Sequence, residues 1–352
     1  MPSLRILTAA EQVASYLREE LARGVRTGKM PGAASLSRDL GVGRMTVDTA
    51  LEILEEDGIL IAQGAGRNRL IAESVNNSSA LKIAFLPFLS EDVRADYVMD
   101  IERLLQEAGH TVIFLGKSIS ELNSDTRKIS RLMEITDADA WVVIAGPRNV
   151  LSWFAEQSLP TFALFGRRRG LPMASVGPDK ETAYRELVRH LVKLGHRRIS
   201  LLTRPLRRLP EPGFIERAFL DELELSGIRT STYHLPEWDG QAETIPQIMD
   251  SMMKVTPPTA LLIDEPPVYF SVQYHLARSG ILAPQDISLA CSDGDPYFEF
   301  LRPSVAHVKW DSRPWIRRVL SWVNSVSLGK KDLRQTLSKS EYVPGDSVGK
   351  AP

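Results

Sequence analysis

The sequence predicts two architectures in one chain: a small α+β winged helix-turn-helix unit, then a larger α/β part folded as two lobes. Three observations carry this. Over residues 30–57, Ala34, Leu36, Leu40 and Val42 place apolar positions before and inside a turn. Val47, Ala50, Leu51 and Leu54 then recur at the spacing of a helix packed on a core. Second, residues 59–61 and 69–71 read as short strands joined by a loop from Gln63 to Asn68, which makes a wing. Third, beyond residue 81 apolar strands alternate with helices of about 10–15 residues, the pattern of βαβ units on a parallel sheet.

In order along the chain, residues 8–23 form the first helix. Thr8 and Glu11 make a capping box, and Val13, Leu17 and Leu21 line one face. Gly24, Gly28 and the turn at Met30, Pro31 and Gly32 close that helix. Gly41 and Gly43 bracket Val42, so the backbone can reverse while Val42 plugs the corner. The first domain is expected over residues 1–72, a small polar linker over 73–80, the two lobes over 81–343 and a flexible tail over 344–352. In the first lobe, strands are expected at 81–86, 110–115, 140–145 and 161–165, with helices at 97–108, 126–136 and 150–157. The pattern restarts with helices at 180–194, 216–226, 245–254 and 268–279, and strands at 198–202, 231–235, 260–263 and 287–291.

Composition narrows the function classes. At 352 residues the chain exceeds one ordinary core. With 43 Lys+Arg against 44 Asp+Glu it has no general attraction for polyanions, so any nucleic-acid contact must come from arginine placement. The one cysteine, Cys291, excludes a disulfide framework and a cysteine zinc cluster. No apolar run approaches the roughly 20 residues of a membrane span, and the first residues lack a secretory apolar core. A cytoplasmic protein without a membrane partner is expected.

A helix-turn-helix offers the first turn of its second helix to a major groove. Arg44, Met45, Thr46 and Asp48 fall there, with Arg38 on the preceding helix and Gly66, Arg67 and Arg69 on the wing. Arginines suit phosphate oxygens and a minor groove, and Asp48 could accept from a cytosine amino group. The segments LREELARG, MPG, LSRDLGVGRMTVDTALEILEEDGIL and GAGRNRLI resemble, in order and spacing, the winged-helix domain of GntR-type transcriptional regulators. The resemblance implies double-stranded operator DNA as partner, with Arg44, Thr46 and Val47 on the contacting turn and Gly66 at the wing tip. Ala34, Gly43 and Asp48 depart from it, standing where arginine, serine and a base-reading arginine are common.

VGPDKETAYRELVRHLVKLGHRRISLL, PPTALLIDE, ARSGILAPQDISLACSDGD and LRPSVAHVKWD likewise resemble LacI-type sensor domains, which share the type I periplasmic-binding-protein-like fold. The resemblance spans residues 81–343 and implies a homodimer with a small-molecule effector, a sugar or related polar metabolite, between the lobes. It also implies that residues 306–325 return to the first lobe. Asp264 and Asp293 follow apolar strands, where open α/β sheets bind ligands, and a carboxylate can hold two hydroxyls. Phe88, Arg148, Arg204, Trp238 and Tyr297 also follow expected strands, and Trp238 could stack on a ring. Against the family pattern, Ile263, Ile215 and Gly166 stand where an asparagine, an arginine and an acid are usual, while Arg167 matches.

No nucleophile–base set, phosphate-binding glycine loop or zinc motif accompanies these residues, so no catalytic group, metal or cofactor is expected. His190 and His196 lack a third ligand. The reading is a transcriptional regulator, a repressor whose operator affinity is set by the effector. A regulator whose lobes only dimerise, and an enzyme acting on a carbohydrate or nucleoside, remain alternatives.

Overall fold

The computed structural model describes residues 8–22, 26, 28–64, 67–72 and 80–352. Two compact units emerge. One takes residues 1–176 and 313–336, the other residues 177–312 and 337–352.

The winged helix is built from α1 (Ala9–Ala22), α2 (Ala33–Leu40), α3 (Arg44–Glu56) and the antiparallel pair β1 (Leu60–Ile61) and β2 (Leu70–Ile71). The capping box of α1 is present: Thr8 N–H donates to Glu11 Oε2 at 2.9 Å, and Glu11 N–H donates to Thr8 Oγ1 at 3.2 Å. Val13, Leu17 and Leu21 of α1 meet Val47, Ala50, Leu51 and Leu54 of α3 and Leu36 of α2 in one buried cluster. Each fully buried leucine there contributes about 1.5–3 kcal/mol. Gly41 closes α2 in the left-handed region (φ 67°), which a side chain would strain. Ala34, read as an apolar anchor, is exposed; α2 is two turns long and Leu36 alone is its fully buried residue. Lys29 bridges to Leu70, and Met30 N–H donates to the Arg69 carbonyl at 2.8 Å, so the segment before α2 edges the wing.

The first lobe holds a parallel sheet ordered β4-β3-β5-β6-β7: β3 (Lys82–Leu86), β4 (Thr111–Phe114), β5 (Ala140–Ile144), β6 (Thr161–Leu164) and β7 (Ala174–Asp179). Its helices are α4 (Asp96–Glu107), α5 (Thr126–Ile135), α6 (Arg148–Ala155) and, from far along the chain, α12 (Arg313–Ser327). The central strands β5 and β6 are buried along their length, because helices cover a parallel sheet on its faces, while the edge strand β4 is only partly covered.

The second lobe carries β8 (Ile199–Leu202), β9 (Ala260–Ile263), β10 (Ser288–Cys291), β11 (Ala306–Trp310) and β12 (Gln335–Val343), ordered β12-β11-β10-β9-β8. All neighbours are parallel except β11 and β12. Its helices are α7 (Glu181–Lys193), the one-turn α8 (Pro205–Arg208), α9 (Phe214–Leu225), α10 (Ile245–Val255) and α11 (Pro266–Arg278).

Three expectations change. Residues 231–235 form a 3-10 turn rather than a strand: Ser231 Oγ accepts from Tyr233 N–H, and Ser200 Oγ ties the Tyr233 carbonyl to β8. The return to the first lobe begins at α12; β11 itself pairs with β10, Ala306 opposite Ala290, and belongs to the second lobe. Finally, residues 344–352 are docked. Ser347 is buried, exchanges backbone hydrogen bonds with Leu289 and Ser304, and its hydroxyl donates to the Leu289 carbonyl at 2.7 Å. Glycine lets backbone lie against backbone here: a Cβ on Gly345 would sit 2.4 Å from Ala306 N. His196 completes the anchor, with ring nitrogens at 3.0 Å from Thr259 Oγ1 and the Gly349 carbonyl.

Candidate functional site

Gly43 caps α3 in an extended conformation with no side-chain hydrogen bond, so no side chain takes up the first-turn N–H groups. A serine there could fill the position that an incoming phosphate oxygen would take. Around this turn Met45 is 84% exposed, Thr46 is half-buried, and Arg44 stands 73% exposed. Asp48 lies 3.8 Å from Arg44 one turn on, an exposed pair worth a few tenths of a kcal/mol that an incoming phosphate can displace. Arg38 is exposed on α2, its Nε 3.4 Å from the Ala34 carbonyl, and Arg67 is exposed on the wing. Arg69 departs from expectation. Its Nε donates to Glu55 of α3 at 2.6 Å, both side chains three-quarters buried, so it braces the wing onto the recognition helix. Gly66 lies outside the described residues.

In the second lobe the expected acids do stand at strand ends, but their oxygens already have partners. Asp264, after β9, is 2% exposed; it accepts from Thr203 Oγ1 at 2.9 Å and pairs with Arg207 Nε at 2.7 Å. Ser292 donates to the Asp264 carbonyl at 2.7 Å. The Asp264 carboxylate holds the Arg207 guanidinium well above its ordinary pKa. Asp293, after β10, is held by Lys180 and by the Trp310 indole. Arg204 pairs with Glu265 at 2.8 Å. The sequence reading missed Thr203, Arg207, Ser292, Lys180 and Trp310. Thr203 and Ser292 each directly follow a strand, a signal that was available; Arg207 is brought in by the turn of α8, which carries no pattern of its own.

Glu265 titrates in an unusual range. Burial and the adjacent Asp264 charge raise its carboxyl to about 6, against the pull of Arg204 and Arg207. A carboxyl raised on folding favours the native state below its unfolded value near 4.5 and loses that contribution as pH rises through 6. Lowering pH from 7 to 5 is therefore expected to raise the melting temperature through this group, and Glu265→Gln should flatten that segment of the stability profile. An unchanged profile in the variant would refute the assignment.

Two further expected residues have other duties. Trp238 is a core residue; its Nε1 donates to Thr244 Oγ1 at 3.0 Å and its carbonyl accepts from Arg208 at 2.7 Å, so it offers no stacking face. Tyr297 is 67% exposed on the turn after Asp295. A recess of about 530 Å³ between α10 and α11, lined by Tyr274, His275 and Arg278 among others, holds none of the expected effector residues.

At the first lobe's strand ends, Phe88 is half-buried against the core, and Arg148 donates to the carbonyls of Arg167 and Arg169, bracing the loop after β6. Ala145 (φ 52°) and Phe165 (φ 67°) occupy the left-handed region without being glycine, a strain that clusters at functional sites. Gly166 (φ 77°) lies so near Gly146 that a Cβ would meet its carbonyl oxygen at 2.4 Å. Among the described residues no group of three or more His, Cys, Asp or Glu could hold a metal, and no helix is long and apolar enough to cross a membrane.

The family of bacterial regulatory proteins of the gntR type matches residues 9–67, and the periplasmic binding protein-like domain matches residues 188–348. The chain joins a gntR-type DNA-binding domain to a periplasmic binding protein-like sensor domain. It is a transcriptional regulator by its families, not an enzyme. Among solved structures it is similar to a LacI family transcriptional regulator from Mycobacterium smegmatis (16% identity, 76% of this chain and 99% of the other, TM-score 0.61). A LacI family regulator from Enterococcus faecium with bound ribose gives 16% identity, 76% and 99% coverage and a TM-score of 0.59. The lac repressor dimer bound to operator and an anti-inducer gives 18%, 79% and 97%, and 0.59. These likenesses establish the fold of the sensor domain. No curated protein matches the chain.

Proposed function

We propose that this regulator is a cytoplasmic repressor that binds a two-fold operator as a homodimer and releases it when a small polar metabolite occupies the sensor domain. The observation that carries the DNA half is the first turn of α3. Arg44 and Met45 are exposed, the helix N-terminus has no side-chain cap, and the scaffold beneath is fully packed. Arg38, Thr46, Asp48 and Arg67 border that turn in sequence or on the wing and complete the proposed contact set. Arg69 supports it from behind. Coupling requires the effector to bind the operator-competent and operator-released states with different affinity.

Selection from random duplexes should return a two-fold site bound with strong salt dependence. Arg44→Ala is expected to weaken that binding about 10-fold and to make the log–log salt slope shallower by about 1 if the contact is a phosphate. Salt-insensitive binding, or an Arg44→Ala protein that binds like the parent, would overturn the proposal.

A specific observation favours a second reading, in which the lobes only dimerise. Asp264 and Asp293, the acids expected to hold sugar hydroxyls, are engaged by Arg207, Lys180 and Trp310. A thermal-shift screen across neutral sugars, nucleosides and acids separates the two, since a ligand of the native state raises its melting temperature. A hit that also changes operator affinity supports the effector reading; a silent screen supports the dimerisation reading.

A further inference from the structure

The charges at the strand ends are not all alike. In the second lobe three cations act within ion pairs: Arg204 with Glu265, Arg207 with Asp264, Lys180 with Asp293. In the first lobe, Arg168 does not. It is half-buried in the loop after β6, and among the described residues no acidic side chain pairs with it. Burial alone acts on its guanidinium, pulling the pKa down to about 10, which still leaves it fully charged at neutral pH. A partly desolvated cation without a counter-charge is unfavourable, and such groups in folded proteins are ordinarily compensated by an anion.

The loop that carries Arg168 is also tightly constrained in its backbone. Phe165 is held in the left-handed region at the end of β6, beside Ala145 at the end of β5. Gly166 abuts Gly146, Arg167 N–H donates to the Gly146 carbonyl at 3.0 Å, and Arg148 clamps the loop carbonyls from α6. The Phe165 ring is wedged against Trp315 with centroids 4.5 Å apart. Strain of this kind persists where surrounding structure over-determines it. Arg168 is thus carried on a constrained loop that begins at the carboxyl end of β6, and ligands of open α/β sheets bind at such strand ends.

We propose that the effector is an oxyanion, a small metabolite bearing a phosphate or carboxylate, and that this group pairs with Arg168. The inference rests on the effector reading above and names its chemistry.

The test compares the full-length parent and Arg168→Gln, by thermal shift and calorimetry, with ribose, ribose 5-phosphate, ribonate and inorganic phosphate, against sodium chloride at matched ionic strength. The expected result is stabilisation of the parent by at least one anion and not by ribose. Arg168→Gln should bind that anion about 10- to 100-fold more weakly, as for loss of a charge-assisted hydrogen bond. Phosphate-bearing and carboxylate-bearing probes tell the two sources apart. Without ligand, Arg168→Gln should melt no lower than the parent, because it removes an uncompensated charge. Ribose binding with an affinity that Arg168→Gln leaves unchanged overturns the anion while leaving the effector reading standing. A ligand-free variant that melts several degrees lower overturns it too, marking Arg168 as structural. Silence from all four compounds, with a ligand found in the wider screen of sugars, nucleosides and acids, overturns the anion alone; silence in that screen as well removes the effector reading with it.

Discussion

Asp264→Asn is expected to destabilise the second lobe by about 3 kcal/mol, the largest single effect of any strand-end substitution. The carboxylate is 2% exposed and meets Arg207, Thr203 and Ser292 at once. Asparagine keeps the size and one oxygen but removes the charge that Arg207 is folded against. Removing one member of a buried pair ordinarily costs about 3–5 kcal/mol, and the lower end applies because the Arg207 side chain is 35% exposed and can recruit water. For a lobe of this size that corresponds to a fall in melting temperature of roughly 6–12 °C. The double variant Arg207→Met with Asp264→Asn should recover part of the loss, because no buried charge is then left alone. A single variant within a degree or two of the parent would mean that the pair is screened by solvent, and Asp264 would return as a candidate hydroxyl acceptor.

How far this was legible in the sequence depends on whether a feature is periodic or convergent. The helix-turn-helix core was legible because Val47, Ala50, Leu51 and Leu54 repeat with the helix, and all four are buried. The strand ends that place Asp264 and Asp293 were legible because parallel strands are continuous apolar runs. Which groups those acids would meet was not. Lys180 and Asp293 are 113 residues apart, and Thr203 and Asp264 are 61 apart, so no local spacing announces either contact. Trp238 shows the reverse error: its position after an expected strand suggested a stacking platform, but residues 231–235 turn as a 3-10 segment and its indole enters the core. The docking of residues 344–352, expected as a flexible tail, was not legible for the same reason: Ser347 meets Leu289, 58 residues away, and Gly345 packs against Ala306.

Asp332→Asn should have an effect of similar size in the first unit, with a distinct pH signature. Asp332 is 6% exposed and joins two arginines: Arg318 of α12 through a double contact at 2.9 and 3.0 Å, and Arg334 at 2.8 Å. Burial opposes its charge, but the hydrogen bonds from Arg334 and the charge and hydrogen bonds of Arg318 prevail, and the carboxyl falls from the ordinary 3.8 to about 2. A carboxyl depressed on folding stabilises the native state above its unfolded pKa and loses that contribution as pH falls through the folded one. Here the window runs from about 4 down to 2, and the shift corresponds to about 2 kcal/mol at pH 7. Arg318 adds to this. Its side chain is 8% exposed over the Phe162 ring, and burial already lowers its pKa, so losing the Asp332 charge leaves a buried cation held only by neutral acceptors and the ring. Together about 3–4 kcal/mol should be lost at pH 7. The gap between parent and variant should narrow as pH drops below 4, where the parent's own carboxyl begins to protonate, the opposite sign from Glu265. Arg318→Met with Asp332→Leu should recover much of the stability, because the apolar replacement leaves no buried charge. A gap that stays constant from pH 7 to pH 3 would show that Asp332 acts through shape and neutral hydrogen bonding, and that its hold on α12 does not depend on its charge.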